Sequence, residues 1–179
     1  GIGLGKIINR GLEKFGYQLQ KKQLYNSFFP IEASSEELKI MSLVLNFREG
    51  RRGKDALTMV SIERLWAAIS AVKYIVENDI KGDIVECGVW RGGCSIAMAL
   101  TLKQLKSSKK VILFDTFKGM TEPSEKDKNI RNNRKPAINR YKESIRESYN
   151  DWCYASIEDV RQNFITHECI ENATFVKGD

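Results

Sequence analysis

The sequence predicts an α/β fold with a mostly parallel sheet. Three observations carry that expectation. Segments with apolar residues at helical spacing alternate with short apolar runs. The run "KKVILFD" is apolar on both faces, as a covered parallel strand is. The run "DIVEC" passes directly into "GVWRGG" and then into a helical segment, which makes one strand–turn–helix–strand unit with "KKVILFD".

Taken in order, residues 4 to 20 place Leu4, Ile7, Ile8, Leu12, Phe15 and Leu19 near one helical face, weakened by Gly11 and Gly16. That face needs a partner surface, for which a second subunit is the expected candidate and a membrane surface the alternative. A turn at Pro30 precedes a helix capped by Ser34 or Ser35, with Glu36 and Glu37 complementing the dipole of its first turn. "FREGRRGKDALTM" reads as a polar loop. In "SIERLWAAISAVKYIVEN", Ile62, Leu65, Trp66, Ile69, Val72 and Val76 form a stripe behind an N-cap at Ser61. "CSIAMALTLKQLK" is the next helix, its small residues suited to lying close on a sheet. A polar stretch from Thr116 to about Asp151 is longer than an ordinary connection. "SIEDVRQNF" resumes as a helix with Ser156 and Asp159 at its start, and "ATFVKGD" is a third strand entering a turn. The resulting division is an N-terminal helical segment, 1–57, and a ligand-binding domain, 58–179, carrying 116–151 as an insertion.

The 179 residues, 42% hydrophobic and 29% charged, suffice for one domain with a core. No run approaches the roughly 18 apolar residues of a membrane span, and no signal peptide is visible, so a cytoplasmic location is expected. The first residue is Gly1 rather than methionine and the last three are Lys177-Gly178-Asp179, so the chain reads as a piece of a longer one. The four cysteines lack any C-x-x-C spacing and His167 is the only histidine, which argues against a zinc site. The net charge of +6 is uneven. Residues 1 to 22 hold five cations against Glu13, and residues 118 to 146 hold nine against four carboxylates. Such segments attract phosphates, nucleic acid or acidic surfaces, or are simply solvated.

Three polar features fall at the predicted strand tips, where an open α/β sheet binds its ligand. The first is the turn Glu86-x-Gly88-x-x-x-Gly92. Gly88 leaves backbone bare for a ligand, and Gly92 lets the next helix begin close by, its free N–H groups aimed at the site. The second is Asp115, placed to accept ribose hydroxyls. The third is Gly178-Asp179, near an adenine edge. The turn is wider than the dinucleotide fingerprint and opens on an acid. A carboxylate repels a pyrophosphate but attracts an ammonium. This pattern points to S-adenosylmethionine rather than NAD.

From Thr58 onward, "TMVSIERLW", "GDIVECGVWRGG", "LFDTFKGM", "DWCYASIEDVRQNF" and "FVKGD" occur in the order found in the macrocin O-methyltransferase family, and the chain resembles that family over about two-thirds of its length. The resemblance implies a Rossmann-like class I methyltransferase fold, truncated after its third strand. It implies S-adenosylmethionine as donor, Mg2+ held by ligands expected beyond residue 179, and a sugar, glycosylated natural product or polysaccharide precursor as acceptor. It assigns Glu86, Gly88 and Gly92 to the methionine end of the donor, Asp115 to the ribose and Asp179 to the adenine side. Thr58 and Ser61 are assigned to the helix start covering the donor. No metal ligand is assigned within the chain, no catalytic base is identified, and the piece alone is expected to be inactive. The insertion is expected to act as a lid or acceptor-side element, its charge suited to an acidic or phosphorylated acceptor.

Other readings stand beside these. Glu86 and Asp115 can be plain strand-end or capping groups. Trp90 and Arg91 read equally as binding wall or packing. Phe114 and Phe117 are expected in the core, and Trp152 and Tyr154 in either the core or an acceptor wall. The basic segments admit an RNA methyltransferase, although no RNA-binding module is recognised and no nucleic-acid partner is expected. A dehydrogenase is disfavoured by the wide turn, and a non-catalytic relative of a methyltransferase remains open.

Overall fold

A computed structural model describes residues 28–48, 50–129 and 135–178. The amphipathic segment 4–20 and Asp179 lie outside the described residues.

Helix α1, Ser35–Val44, starts at Ser34 in a reciprocal capping box: Ser34 Oγ accepts the Glu37 N–H, and Glu37 Oε2 accepts the Ser34 N–H at 2.6 Å. Glu37 is nonetheless buried, at 2% exposure, and Lys73 Nζ donates to it at 2.8 Å. Burial alone would raise the Glu37 pKa. The bonds from Lys73 and Ser34 outweigh it and hold the carboxyl below its usual range. Lys73 belongs to α2, Ile62–Glu77, whose Leu65, Ile69 and Val72 face the core. Ser61 is the N-cap of α2 but makes no capping bond to its backbone.

Strand β1, Ile84–Cys87, leads through the glycine turn into α3, Gly93–Gln104, which is buried on most of its circumference. Ser95, Ala97 and Ala99 allow α1, α2 and the sheet to close around it. Strand β2, Val111–Asp115, buries Val111 and Leu113 completely.

The insertion has its own structure. Strands β3, Lys128–Asn129, and β4, Lys135–Pro136, pair antiparallel and feed helix α4, Ala137–Glu143. The helix ends at Glu143, and the chain turns back through an Ile145–Asn150 bridge. Buried Asn150 fastens this excursion to its starting point. Its N–H donates to Lys118 O at 2.7 Å, its Nδ2 to Tyr141 O at 2.8 Å, and its Oδ1 accepts the Trp152 N–H at 3.0 Å.

Helix α5, Ile157–Thr166, is capped by Ser156, whose Oγ accepts the Asp159 N–H. It packs Val160 and Phe164 inward, and Phe164 meets Phe175 of β5, Ala173–Lys177, edge-on at 5.3 Å. His167 caps the far end of α5, half-buried and away from the strand tips.

The main sheet has the order β1-β2-β5, all parallel, with Ile84 beside Val111 and Val111 beside Ala173. One face carries the core, to which residues of α1 contribute as fully as those of α2 and α3. The opposite face is open, with Val85 55% and Phe114 40% exposed. Phe114 is thus a correction to its expected place in the core. It alternates with Leu113 and points to the other side of the pleat, whereas Phe117 is buried as expected.

Candidate functional site

A cavity of about 490 Å³ opens beyond the carboxyl ends of β1 and β2. Its wall combines Gly88 and Trp90 from the glycine turn, Phe114, Asp115 and Thr116 from the end of β2, Gly119 to Thr121 from the following loop, and Met59, Cys153 and Gly178.

Of the predicted residues, Gly88 and Asp115 line this cavity, as does Gly178, whereas Asp179 lies outside the described residues. Gly88 has φ +78°, and a Cβ built there meets nothing within 4 Å. The turn therefore keeps open space over bare backbone. Gly92 also has positive φ, but its neighbours are Val160 and Phe164 of α5; its smallness serves packing at the base of the turn. Thr58 is buried against Gly93, and Ser61 caps α2. Neither lines the cavity, but Met59 between them does.

Asp115 organises the site. Its Oδ2 accepts the Val89 N–H at 2.6 Å and the Trp90 N–H at 3.3 Å, and its Oδ1 accepts the Phe117 N–H at 2.8 Å. One carboxylate thus ties the tip of β1 to the tip of β2. It stabilises two residues in the left-handed region, Trp90 at φ 50° and Phe117 at φ 52°. Gly88 N–H to Phe114 O, 2.8 Å, completes the junction.

Glu86 lies behind the turn rather than in the cavity wall. Ser95 Oγ donates to its Oε2. Burial raises its pKa, the charge of Asp115 pushes the same way, and the bonds from Ser95 and Cys94 oppose the rise without cancelling it. Among the described residues no cation pairs with it. A desolvated carboxylate without a counter-charge is set up to receive a cation. The Cys94 thiol beside it is pushed up to about 12, by burial first and by Glu86 second.

A second cavity, about 810 Å³, adjoins the first through Met120 and Thr121. Trp152 lines it, with the Arg140 guanidinium 4.6 Å over its ring. The insertion is basic as a whole, but the lining of this cavity is balanced. Lys126, Lys128 and Arg140 at the cavity are matched by Glu122, Asp127 and Glu143. Arg131 and Arg134 lie outside the described residues. Tyr154 stacks on Tyr149 at 4.0 Å instead of joining this wall. Among the described residues no group of three histidine, cysteine or carboxylate side chains could hold a metal ion, and no helix is long and apolar enough to cross a membrane.

Sequence reasoning missed Met59, Met120 and Cys153 as cavity residues. They come from three separate segments, and only the position of "TFKGM" directly after β2 offered a signal for one of them.

A parallel β1-β2-β5 sheet crossed by α3 and α5, with a glycine turn clamped by an acid at the neighbouring strand tip, defines a Rossmann-like class I methyltransferase fold. The solved structure of the O-methyltransferase NovP superposes with a TM-score of 0.62 at 25% identity, covering 79% of this chain and 62% of that one. The chain belongs to the macrocin-O-methyltransferase (TylF) family, whose sequence model matches residues 18–178. Demethyldecarbamoylnovobiocin O-methyltransferase of Streptomyces niveus is 31% identical over 126 residues, which are 69% of this chain and 44% of that protein. An 8-demethyl-8-(2,3-dimethoxy-alpha-L-rhamnosyl)-tetracenomycin-C 4'-O-methyltransferase of Streptomyces olivaceus is 40% identical over 68 residues, 37% of this chain and 26% of that protein. The chain thus spans less than half the length of the curated relatives it matches.

Proposed function

We propose that this chain is the donor-binding part of an S-adenosylmethionine-dependent O-methyltransferase that acts on a hydroxyl of a sugar or glycosylated small molecule. The observation that carries the reading is the family match running through every element of the strand-tip cavity. The bound donor would supply an electrophilic methyl group on a sulfonium. Gly88 leaves room for it. Asp115 fixes the turn and keeps lone pairs for hydroxyl donors. Glu86 supplies the buried counter-charge for the ammonium. Met59, Trp90, Phe114 and Met120 form an apolar wall that excludes water from the transfer. Asp179 completes the set proposed for the donor, and Thr58 and Ser61, which do not line the cavity, hold the helix start beside it.

The cavity beside Trp152 suits the acceptor. Its balanced charges and aromatic face favour the uncharged ring of a sugar, whose C–H faces pack on an indole while donors and acceptors of the wall meet its hydroxyls. Both curated relatives are named O-methyltransferases, and the name of one carries a rhamnosyl group on its acceptor, which supports an acceptor of this class. Mg2+ dependence is part of the proposal, with ligands supplied by residues outside those described.

The test is a methyl-transfer assay on the full-length protein, in which S-adenosylhomocysteine formation is followed over a panel of glycosides with Mg2+ and with a chelator. Transfer to a glycoside, abolished by chelation, is expected. An absence of S-adenosylhomocysteine binding, with NAD bound in its place, would overturn the reading in favour of a dehydrogenase.

A further inference from the structure

The loop between α1 and α2 holds charge that the donor and acceptor cavities do not use. A groove of about 780 Å³ is lined by Asn46, Arg48, residues 51–56 and Thr58, and shares Met59 and Trp90 with the donor cavity. Arg48, Arg51, Arg52 and Lys54 line it, against Asp55 as its one carboxylate among the described residues. None of these four cations forms an ion pair among the described residues.

The arrangement is built rather than incidental. Arg48 and Arg51 exchange both backbone hydrogen bonds at 3.0 Å, so they stand directly opposite each other in a tight antiparallel bridge. Opposed residues of such a pair project to one side of the ribbon, where like charges destabilise it. The fold nevertheless fixes this ribbon. Gly50 makes the turn at φ +80°. The Gly53 N–H donates to Leu45 O and Asn46 O, each at 3.1 Å. Arg52 Nη1 donates to Met59 O at 2.9 Å, joining the ribbon to the residue that separates groove from donor cavity. Arg48 and Arg51 both line the groove, Arg48 Nε donating to Asn46 Oδ1 at 3.2 Å, and guanidinium forks match an oxyanion with several acceptor oxygens.

We propose that this groove binds a phosphate or pyrophosphate group, the charged end of a phosphorylated acceptor whose sugar reaches the donor cavity. The anion site stands on the loop geometry alone. Its assignment to the acceptor rests on the methyltransferase reading.

Calorimetry on the full chain tests both parts, with inorganic pyrophosphate and S-adenosylhomocysteine as probes and Arg48→Ala/Arg51→Ala as the variant. Pyrophosphate affinity is expected to fall roughly 10-fold or more in the variant and to weaken steeply with salt. S-adenosylhomocysteine affinity is expected to stay unchanged, and the two probes are expected to bind together. Arg48→Lys/Arg51→Lys keeps the charge and loses the forks, and is expected to fall between the two. Pyrophosphate binding that is absent, or equal in parent and variant, overturns the anion site. Competition between the probes overturns the acceptor assignment, because the groove would then seat the donor's own carboxylate. An RNA oligonucleotide binding far more tightly than pyrophosphate, and losing that affinity in the variant, overturns it in favour of nucleic acid. Failure of S-adenosylhomocysteine to bind at all, with pyrophosphate still bound, leaves the anion site standing and sinks the methyltransferase reading instead.

Discussion

Adding one methyl group at Gly88 and at Gly92 should separate a ligand-space glycine from a packing glycine. Both have φ near +80°, so alanine at either costs about 1–2 kcal/mol of backbone strain. At Gly88 nothing lies within 4 Å of the new Cβ, and the fold feels little else. In a protein of this size that is a melting-temperature loss of roughly 2–8 °C. At Gly92 the Cβ sits 2.9 Å from Val160 Cγ1 and 3.1 Å from Phe164 Cε2. Overpacking there adds roughly 1–3 kcal/mol, so Gly92→Ala is the less stable variant. Binding should rank the other way. The Gly88→Ala methyl enters the space held for the donor, and S-adenosylhomocysteine affinity should fall about 10- to 100-fold. The folded fraction of Gly92→Ala should bind within about threefold of the parent. Scanning calorimetry and isothermal titration on the full-length protein read both quantities. Parent-like affinity in Gly88→Ala, or a greater binding loss in Gly92→Ala, would refute the distinction.

Other outcomes follow from the same geometry. The raised pKa of Glu86 means that its support for the fold is complete below the ordinary carboxylate pKa and is lost as pH rises through the folded value. Glu86→Gln should therefore be at least as stable as the parent at pH 7 in a thermal melt, yet bind S-adenosylhomocysteine roughly 10-fold more weakly; a destabilised variant with unchanged affinity would make Glu86 purely structural. Glu37 has the opposite sign. Its lowered pKa gives stability that is present above the ordinary carboxylate pKa and lost as pH falls through the folded value. Glu37→Ala should cost about 2 kcal/mol in denaturant unfolding at pH 7, a figure discounted for the exposure of Lys73, and less in acid. Thiol alkylation should mark exposed Cys87 first and Cys153 slowly, with Cys153 protected by S-adenosylhomocysteine. Cys94 and Cys169, both pushed up to about 12 by burial, should not react; rapid labelling of either would show that α3 or α5 opens.

Much of the fold was legible because it rests on local rules. The stripe of α2, the two-faced apolar run of β2 and the serine caps of α1 and α5 are each set within a few residues. The position of Asp115 at a strand tip was legible for the same reason. Its partners were not, because the N–H groups of Val89 and Trp90 lie 26 and 25 residues away. The pairing of Glu37 with Lys73 spans 36 residues, and Glu37 read only as a dipole-complementing surface acid. Gly92 looked like a ligand glycine until α5 was seen against it. Phe114 was misplaced because an all-apolar strand does not say which face is covered. The arginine ribbon read as an ordinary polar loop, since only the backbone bridge opposes Arg48 and Arg51.

The most direct measurement is a crystal structure of the full-length protein with S-adenosylhomocysteine. Its adenosine should lie in the cavity between Gly88 and Asp115, with its ammonium directed toward Glu86. A ligand bound elsewhere, with this cavity filled by protein, would contradict the donor assignment.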